Sequence, residues 1–259
     1  AEDVSWRLCG ARAVVPETSA RRLDGMDLYE SRTGLGDMTS TLPFPFQLRS
    51  PQAGDRAGAY AVCLKTGNFG QDGEPFYRDD PDALGRVFVG PYLAYEPELG
   101  RILEDDQGIC GYVLAAMDSH AFYARYEAEW RPELCRAYPA PTGDPGGWNR
   151  VHQIHHVYHH PDYFCPEPYD QYPSHVHIDL LPRAQGRGLG RAMMAEVLGL
   201  LRQRGSPGAH LGVSLPNIPA QGFYRKLGFQ PLIQVGEGTD GCLYLGHRLN
   251  GLMHASSEK

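Results

Sequence analysis

HVHIDLLPRAQGRGLGRAMMAEVLGLLRQRGSPGAHLGVSLPNIPAQGFYRKLGF, residues 175–229, decides how this chain folds. From His175 to Leu181 the residues alternate. His175, His177 and Asp179 fall on one face of a strand, and Val176, Ile178 and Leu180 on the other. Pro182 ends the strand, and Gln185-Gly186-Arg187-Gly188-Leu189-Gly190-Arg191 follows as a glycine-rich turn. Ala192, Met193, Met194, Val197, Leu198, Leu200 and Leu201 then predict a helix with a wide apolar face. A second strand over 210–215 and a short helix carrying Phe223-Tyr224 complete the stretch. The first amides of the long helix lie in the glycine turn, where they and the helix dipole favour an anion such as a diphosphate. Gly188 and Gly190 lack a Cβ, so phosphate oxygens can approach the backbone. Arg187 and Arg191 can add charge-assisted contacts. A dinucleotide fingerprint of the form GxGxxG fails because Arg191 stands at the last glycine, and a phosphate-loop NTPase fails because no GK[ST] occurs.

Outward from this stretch, the order of elements is mixed. Residues 1–43 form an N-terminal arm in which Val4–Val15 suits a strand, Ala20–Glu30 a short helix and SRTGLGDMTSTLP a linker. The main domain spans 44–259. FPFQLR from Phe44 suits its first strand, and Asp55 the N-cap of a helix to Leu64. Residues 66–100 read as a long ordered loop, because their aromatics need burial. RILEDDQGICGYVLAAMD reads as a hairpin of Arg101–Glu104 and Ile109–Met117, after which Ser119 caps a helix to about Ala137. Residues 138–173 are an insertion rich in Pro, Tyr and His. A final hairpin pairs Pro231–Val235 with Leu243–Leu249. The expected fold is α/β (α+β), one mixed sheet flanked by helices.

Bulk properties exclude several classes. A net charge of −7 and the absence of a basic run argue against nucleic acid. There is no apolar run of 18 residues and no signal-peptide core, so neither a membrane span nor membrane attachment is expected and the expected location is the cytoplasm. The cysteines (Cys9, Cys63, Cys110, Cys135, Cys165, Cys242) are scattered without a CxxC pair, and free thiols are expected. Basic residues are 21 Arg against 3 Lys, a bias suggesting a GC-rich bacterial genome.

Gln185, Gly188 and Gly190 match the coenzyme A signature [Q/R]-x-x-G-x-[G/A], and Asn217 and FYRKLGF at 223–229 match its later part. On these residues the segment resembles the GNAT acetyltransferase superfamily. FVGPYLAYEPELGRILEDDQGICGYVLAAMD at 88–118, with HIDLLP at 177–182, resembles more narrowly the acetyltransferase-like C-terminal domain of O-GlcNAcase, of which this chain would be a free-standing bacterial relative. The chain departs from that domain's degraded turn by keeping every defined position. The resemblance implies a mostly antiparallel GNAT sheet, splayed where acetyl-CoA enters as co-substrate. Its pantetheine would bond the backbone of Leu180 and Leu181. Its diphosphate would sit on Gln185, Gly186, Arg187, Gly188, Leu189, Gly190 and Arg191, with Asn217 and Phe223 along the arm. Tyr224 would protonate the leaving thiolate, and Asp179 would act as base, directly or through water.

The implied activity is N-acetyl transfer to an amine acceptor whose identity the sequence does not define. The rival is a coenzyme-binding or interaction domain without turnover. VHQIHHVYHH sets His152, His155, His156, His159 and His160 at spacings that can hold a metal, the basis of a second rival, a metal-dependent hydrolase. No carboxylate completes an HExxH site and Pro161 stops the segment, so no metal is expected. PDYFCPEPYDQYPS reads either as a wall of the acceptor groove or as packing on the sheet edge. The arm at 1–43 leaves room for a homodimer by exchange between subunits.

Overall fold

Glycines at positive φ serve several of the turns between strands. Gly108, at φ +102°, closes a hairpin in which Asp105 Oδ1 accepts from the Gln107 amide at 2.9 Å. The computed structural model describes residues 20–22 and 42–249. Its strands are β1 (Ala20–Arg22), β2 (Gln47–Arg49), β3 (Arg101–Asp105), β4 (Gly108–Ala116), β5 (Ser174–Leu180), β6 (Gly208–Ser214), β7 (Gln230–Val235) and β8 (Cys242–Arg248). They form one eight-stranded sheet in the order β1-β7-β8-β6-β5-β4-β3-β2. Every neighbouring pair is antiparallel except β5–β6, which is parallel.

The helices are α1 (Arg56–Thr66), α2 (Gly85–Phe88), α3 (Gly90–Tyr95), α4 (Ser119–Arg125), α5 (Arg131–Ala137), α6 (Arg150–His159), α7 (Leu189–Gln203) and α8 (Ile218–Lys226). A π turn over Tyr126–Trp130 joins α4 to α5. The apolar face read for α7 is the buried one: Leu189, Met193, Met194, Val197, Leu198 and Leu201 all lie in the core. Side chains of successive residues on β5 point to opposite faces. Asp179 faces Cys63 of α1, and Leu180 faces Gly190 of α7, so α1 and α7 cover opposite faces of the sheet.

Several expectations are corrected. Ala20–Arg22 pairs with Val235–Ile233 as an edge strand, not as the start of a helix; the remainder of the arm, including Val4–Val15 and the linker to residue 41, lies outside the described residues. The loop read over 66–100 contains α2 and α3. Prolines and glycines there break the helices into pieces too short for periodicity to register. The α4 cap is Asp118, whose side chain accepts from the Ala121 amide at 2.8 Å. Ser119, one residue later, turns inward and donates to Pro173 O at 2.7 Å. Cys63, Cys110, Cys135 and Cys165 are free, but Cys242 is disulfide-bonded, against the expectation of free thiols throughout. Pairing depends on which Cβ atoms the fold brings together, and scattered spacing conceals that.

Candidate active site

The parallel pair β5–β6 opens the site. Only Ser174↔Ala209 and His175↔His210 are in register; beyond them β5 follows β4 while β6 follows β8 through Ser214. The two strands therefore splay into a wedge with unpaired main-chain edges. In an antiparallel ladder alternate residues bond to one neighbour. The Leu181 amide donates to Cys110 O at 2.8 Å, so its N–H is committed to the β4 side. By the same alternation Ile178 and Leu180 turn their main-chain groups into the wedge. Leu180 O already accepts from Gln185 Nε2 at 2.8 Å, which ties the first residue of the glycine turn to the strand.

At the mouth of the wedge, Gly186 and Gly188 have φ of +71° and +77°. Gly188 is the left-handed N-cap of α7, and among the described residues no side chain caps that end. The first-turn amides of α7 thus lack side-chain acceptors, as an anion cradle requires. Gly190 has a different reason to be glycine: a Cβ there would stand 3.1 Å from Phe223 Cζ and 3.8 Å from Leu180 Cδ1. This contact closes α7 against α8 and β5 at the wedge. Leu189 is buried beneath the turn, whereas Arg187 and Arg191 are exposed beside it. Arg187 Nε reaches Arg183 O at 3.2 Å, and Arg191 Nη2 reaches Lys226 O at 3.3 Å. Asn217 caps α8 by accepting from the Ala220 amide at 3.2 Å, and its amide nitrogen lies over Gly70.

Deeper in, four side chains meet. Tyr112, directly across from Asp179 on β4, donates its phenol proton to Asp179 Oδ2 at 2.5 Å. Its oxygen lies 3.0 Å from His177 Nε2, which is also 3.3 Å from Asp179 Oδ2. The phenol has one proton and gives it to the carboxylate, so Nε2–H must donate to both oxygens. This fixes the tautomer and leaves a lone pair on His177 Nδ1, for which no partner exists among the described residues. Cys63 is the fourth member: its Sγ, His177 and Asp179 lie within 4.8 Å of one another. Burial pushes the Cys63 thiol far up, with Asp179 adding to the effect, so it stays protonated. Tyr112 and Cys63 were not found in the sequence; their contribution depends on β4–β5 register and on where α1 docks.

Tyr224, on α8, is buried, and its phenol is pushed up first by burial and then by the Asp179 charge. Its hydroxyl has no hydrogen-bond partner among the described residues. His175 is held between Ser119 Oγ on Nδ1 (2.7 Å) and the Tyr92 hydroxyl on Nε2 (2.8 Å). Ser119 gives its proton to Pro173 O, so Nδ1–H donates to Ser119 and Nε2 accepts from Tyr92. Burial, aided by His210 and His177, holds this imidazole neutral.

A pocket opens where the wedge begins, lined by His175 and His177 of β5, Leu211 and Gly212 of β6, and a wall of aromatic rings. The insertion supplies Pro161, Tyr163 and Phe164 to that wall. Its histidines are used elsewhere. His155 Nε2 meets Asp80 at 2.8 Å, His159 Nε2 meets Tyr138 O at 2.8 Å, and His156 packs on His160 with ring centroids 4.4 Å apart.

A splayed parallel pair, a glycine turn at its mouth and a polar cluster at its base make up the candidate site, and similarity to known proteins gives the family. The acetyltransferase (GNAT) family profile matches residues 70–229, and the chain belongs to that family. Protein O-GlcNAcase of Rattus norvegicus is 30% identical over 196 residues, 75% of this chain; the chain spans about a fifth of that relative's length, 21%. Mycothiol acetyltransferase of Saccharomonospora viridis is 37% identical over 95 residues, 36% of this chain and 28% of that protein. The solved structure of SsHAT superposes with a TM-score of 0.71 at 36% identity, covering 80% of this chain and 99% of that one. Among the described residues no helix is long and apolar enough to cross a membrane.

Proposed function

We propose that this chain binds acetyl-CoA in the β5–β6 wedge and transfers the acetyl group to an amine held in the aromatic pocket. The supporting observation is that His177 belongs to both parts: it lines the pocket and is bonded to the Asp179–Tyr112 pair at the wedge. The diphosphate rests on the first-turn amides of α7, and the pantetheine runs along the Leu180 and Ile178 main chain beside Phe223. The amine nitrogen attacks the thioester carbonyl carbon. An amide on the open β5 edge donates to the developing oxyanion. His177 Nδ1 takes the amine proton, and Asp179 stabilises the resulting imidazolium through Nε2–H. This gives Asp179 an indirect role as base. The C–S bond breaks, and the Tyr224 phenol, kept protonated by burial, donates to the departing sulfur.

The reading is tested by calorimetric titration with acetyl-CoA, followed by a thiol-release screen over an amine library. Binding with amine-dependent thiol release is expected. A folded sample that gives no heat and no melting shift at saturating acetyl-CoA rejects it.

A further inference from the structure

The pocket beyond His177 has a composition that selects among amines. Its walls are stacked rings: Tyr163 lies on Tyr123 with centroids 5.0 Å apart, and Tyr123 lies on His175 at 5.2 Å, nearly parallel at 7°. Phe88 faces His177 at 5.9 Å, and Phe164 packs on Tyr244 at 4.5 Å. Among the described residues, no aspartate or glutamate lines the space. Its other ionisable linings do not supply negative charge either. His210 donates Nδ1–H to Tyr172 O at 2.7 Å and His175 is locked between two hydroxyls, while burial keeps both imidazoles neutral. The tyrosine linings Tyr92, Tyr123, Tyr126 and Tyr163 are pushed upward by burial and stay as neutral phenols. Asp179 is screened from the space by its bonds to Tyr112 and His177, and Asp162, between the lining residues Pro161 and Tyr163, acts on the Tyr123 phenol from outside the lining.

An alkylammonium entering here would lose its water without gaining a carboxylate, a cost that ring faces offset only in part. A flat ring gains offset or edge contacts on several sides. The cavity is about 80 Å³ with an open mouth. A closed apolar cavity of about 150 Å³ accommodates benzene. At about half that volume, the enclosed part of this space takes one edge of a single ring, with the rest of the ligand in the open mouth.

Building on the acetyl-transfer reading above, we infer that the acceptor is an arylamine, a single aromatic ring bearing an uncharged amino group, rather than a lysine-type alkylammonium. The ring extends the Tyr163–Tyr123–His175 stack, and the amino group points to His177. Delocalisation of the lone pair into the ring keeps such an amine neutral near pH 7, so no proton need leave before attack. The N–C bond forms as the C–S bond breaks; one N–H proton goes to His177 Nδ1, and the thiolate takes the Tyr224 proton.

The test uses the full chain with aniline and 4-methylaniline as probes and butylamine and a lysine peptide as competitors. Binding is read by calorimetry without coenzyme, and acetyl-CoA titration is run separately on the same sample. Arylamine binding at least tenfold tighter than butylamine is expected, with Phe88→Ala and Phe164→Ala each weakening it by roughly tenfold. The melting temperature of each variant reports its fold, and the ring-retaining variant Phe164→Tyr should restore binding. Arylamine binding that is absent, no tighter than butylamine, or unchanged in both alanine variants overturns the inference, whatever acetyl-CoA does. Arylamine binding without acetyl-CoA binding supports the pocket assignment and rejects the transfer reading instead.

Discussion

Two glycines on α7 should respond to alanine with opposite signs. Gly188 sits at φ +77° as the N-cap, and among the described residues beyond its chain neighbours no atom lies within 4 Å of the place its Cβ would take. The penalty of Gly188→Ala is therefore conformational, not steric: a left-handed L-residue costs roughly 1–2 kcal/mol. Gly199 lies inside the same helix with equally open surroundings. There Gly199→Ala removes chain entropy from the unfolded state and should stabilise by roughly 0.5–1 kcal/mol. For a chain of this size each kcal/mol moves Tm by about 2–4 °C. The two variants should thus straddle the parent in a thermal melt. Coenzyme affinity should separate them further. If relaxation of the strained cap turns one first-turn amide away from the diphosphate, about 1.5–3 kcal/mol of charge-assisted bonding is lost. Gly188→Ala should then bind acetyl-CoA roughly 10- to 100-fold more weakly by calorimetry, with Gly199→Ala unchanged. Parent-like affinity in Gly188→Ala would show that the diphosphate does not rest on these amides.

Other consequences are equally accessible. Tyr224→Phe removes a hydroxyl without a described partner, so the fold and acetyl-CoA affinity should persist while acetyl transfer falls on the order of 100-fold; an unchanged rate removes Tyr224 from the mechanism. Tyr112→Phe deletes the phenol that positions Asp179 and His177, which should cost about 1.5–3 kcal/mol of stability. It should also shift the pH profile of transfer; a pH profile identical to the parent's would show the phenol to be structural only. His210 is pushed down to about 4 by burial, against 6.5 in the open chain. Between these values the unfolded chain binds the extra proton. Stability conferred by the neutral imidazole is therefore complete above about pH 6.5 and lost as pH falls toward 4, on the order of 3 kcal/mol. His175 acts in the same direction. Denaturant melts across that window should show the decline, and His210→Gln should reduce it; an undiminished slope in that variant assigns the acid sensitivity elsewhere.

Residues 175–229 carry their information locally. Alternation, a proline stop, positive-φ glycines and a 3.6-residue apolar period are all properties of neighbours in sequence, and β5, the glycine turn, α7 and α8 lie where those patterns place them. The hairpin β3–β4 was legible for the same reason. α2 and α3 were not, because four- and six-residue helices are shorter than the window in which a period can be counted. Nor was Cys242, whose disulfide depends on distance in space.

The candidate site divides along the same line. The glycine turn, with Gly188 at the N-cap and Gly190 in the first turn of an amphipathic helix, was legible in the chain alone, since backbone freedom and helix amides need no distant partner. That Tyr112 and Cys63 join His177 and Asp179 was decided by tertiary structure, through antiparallel register between β4 and β5 and the docking of α1. So too was the pocket, whose rings come from helices, strands and the insertion more than 150 residues apart in sequence, between Phe88 and Tyr244. Local sequence can specify which torsions a segment adopts; only packing against the rest of the chain selects which side chains share a proton.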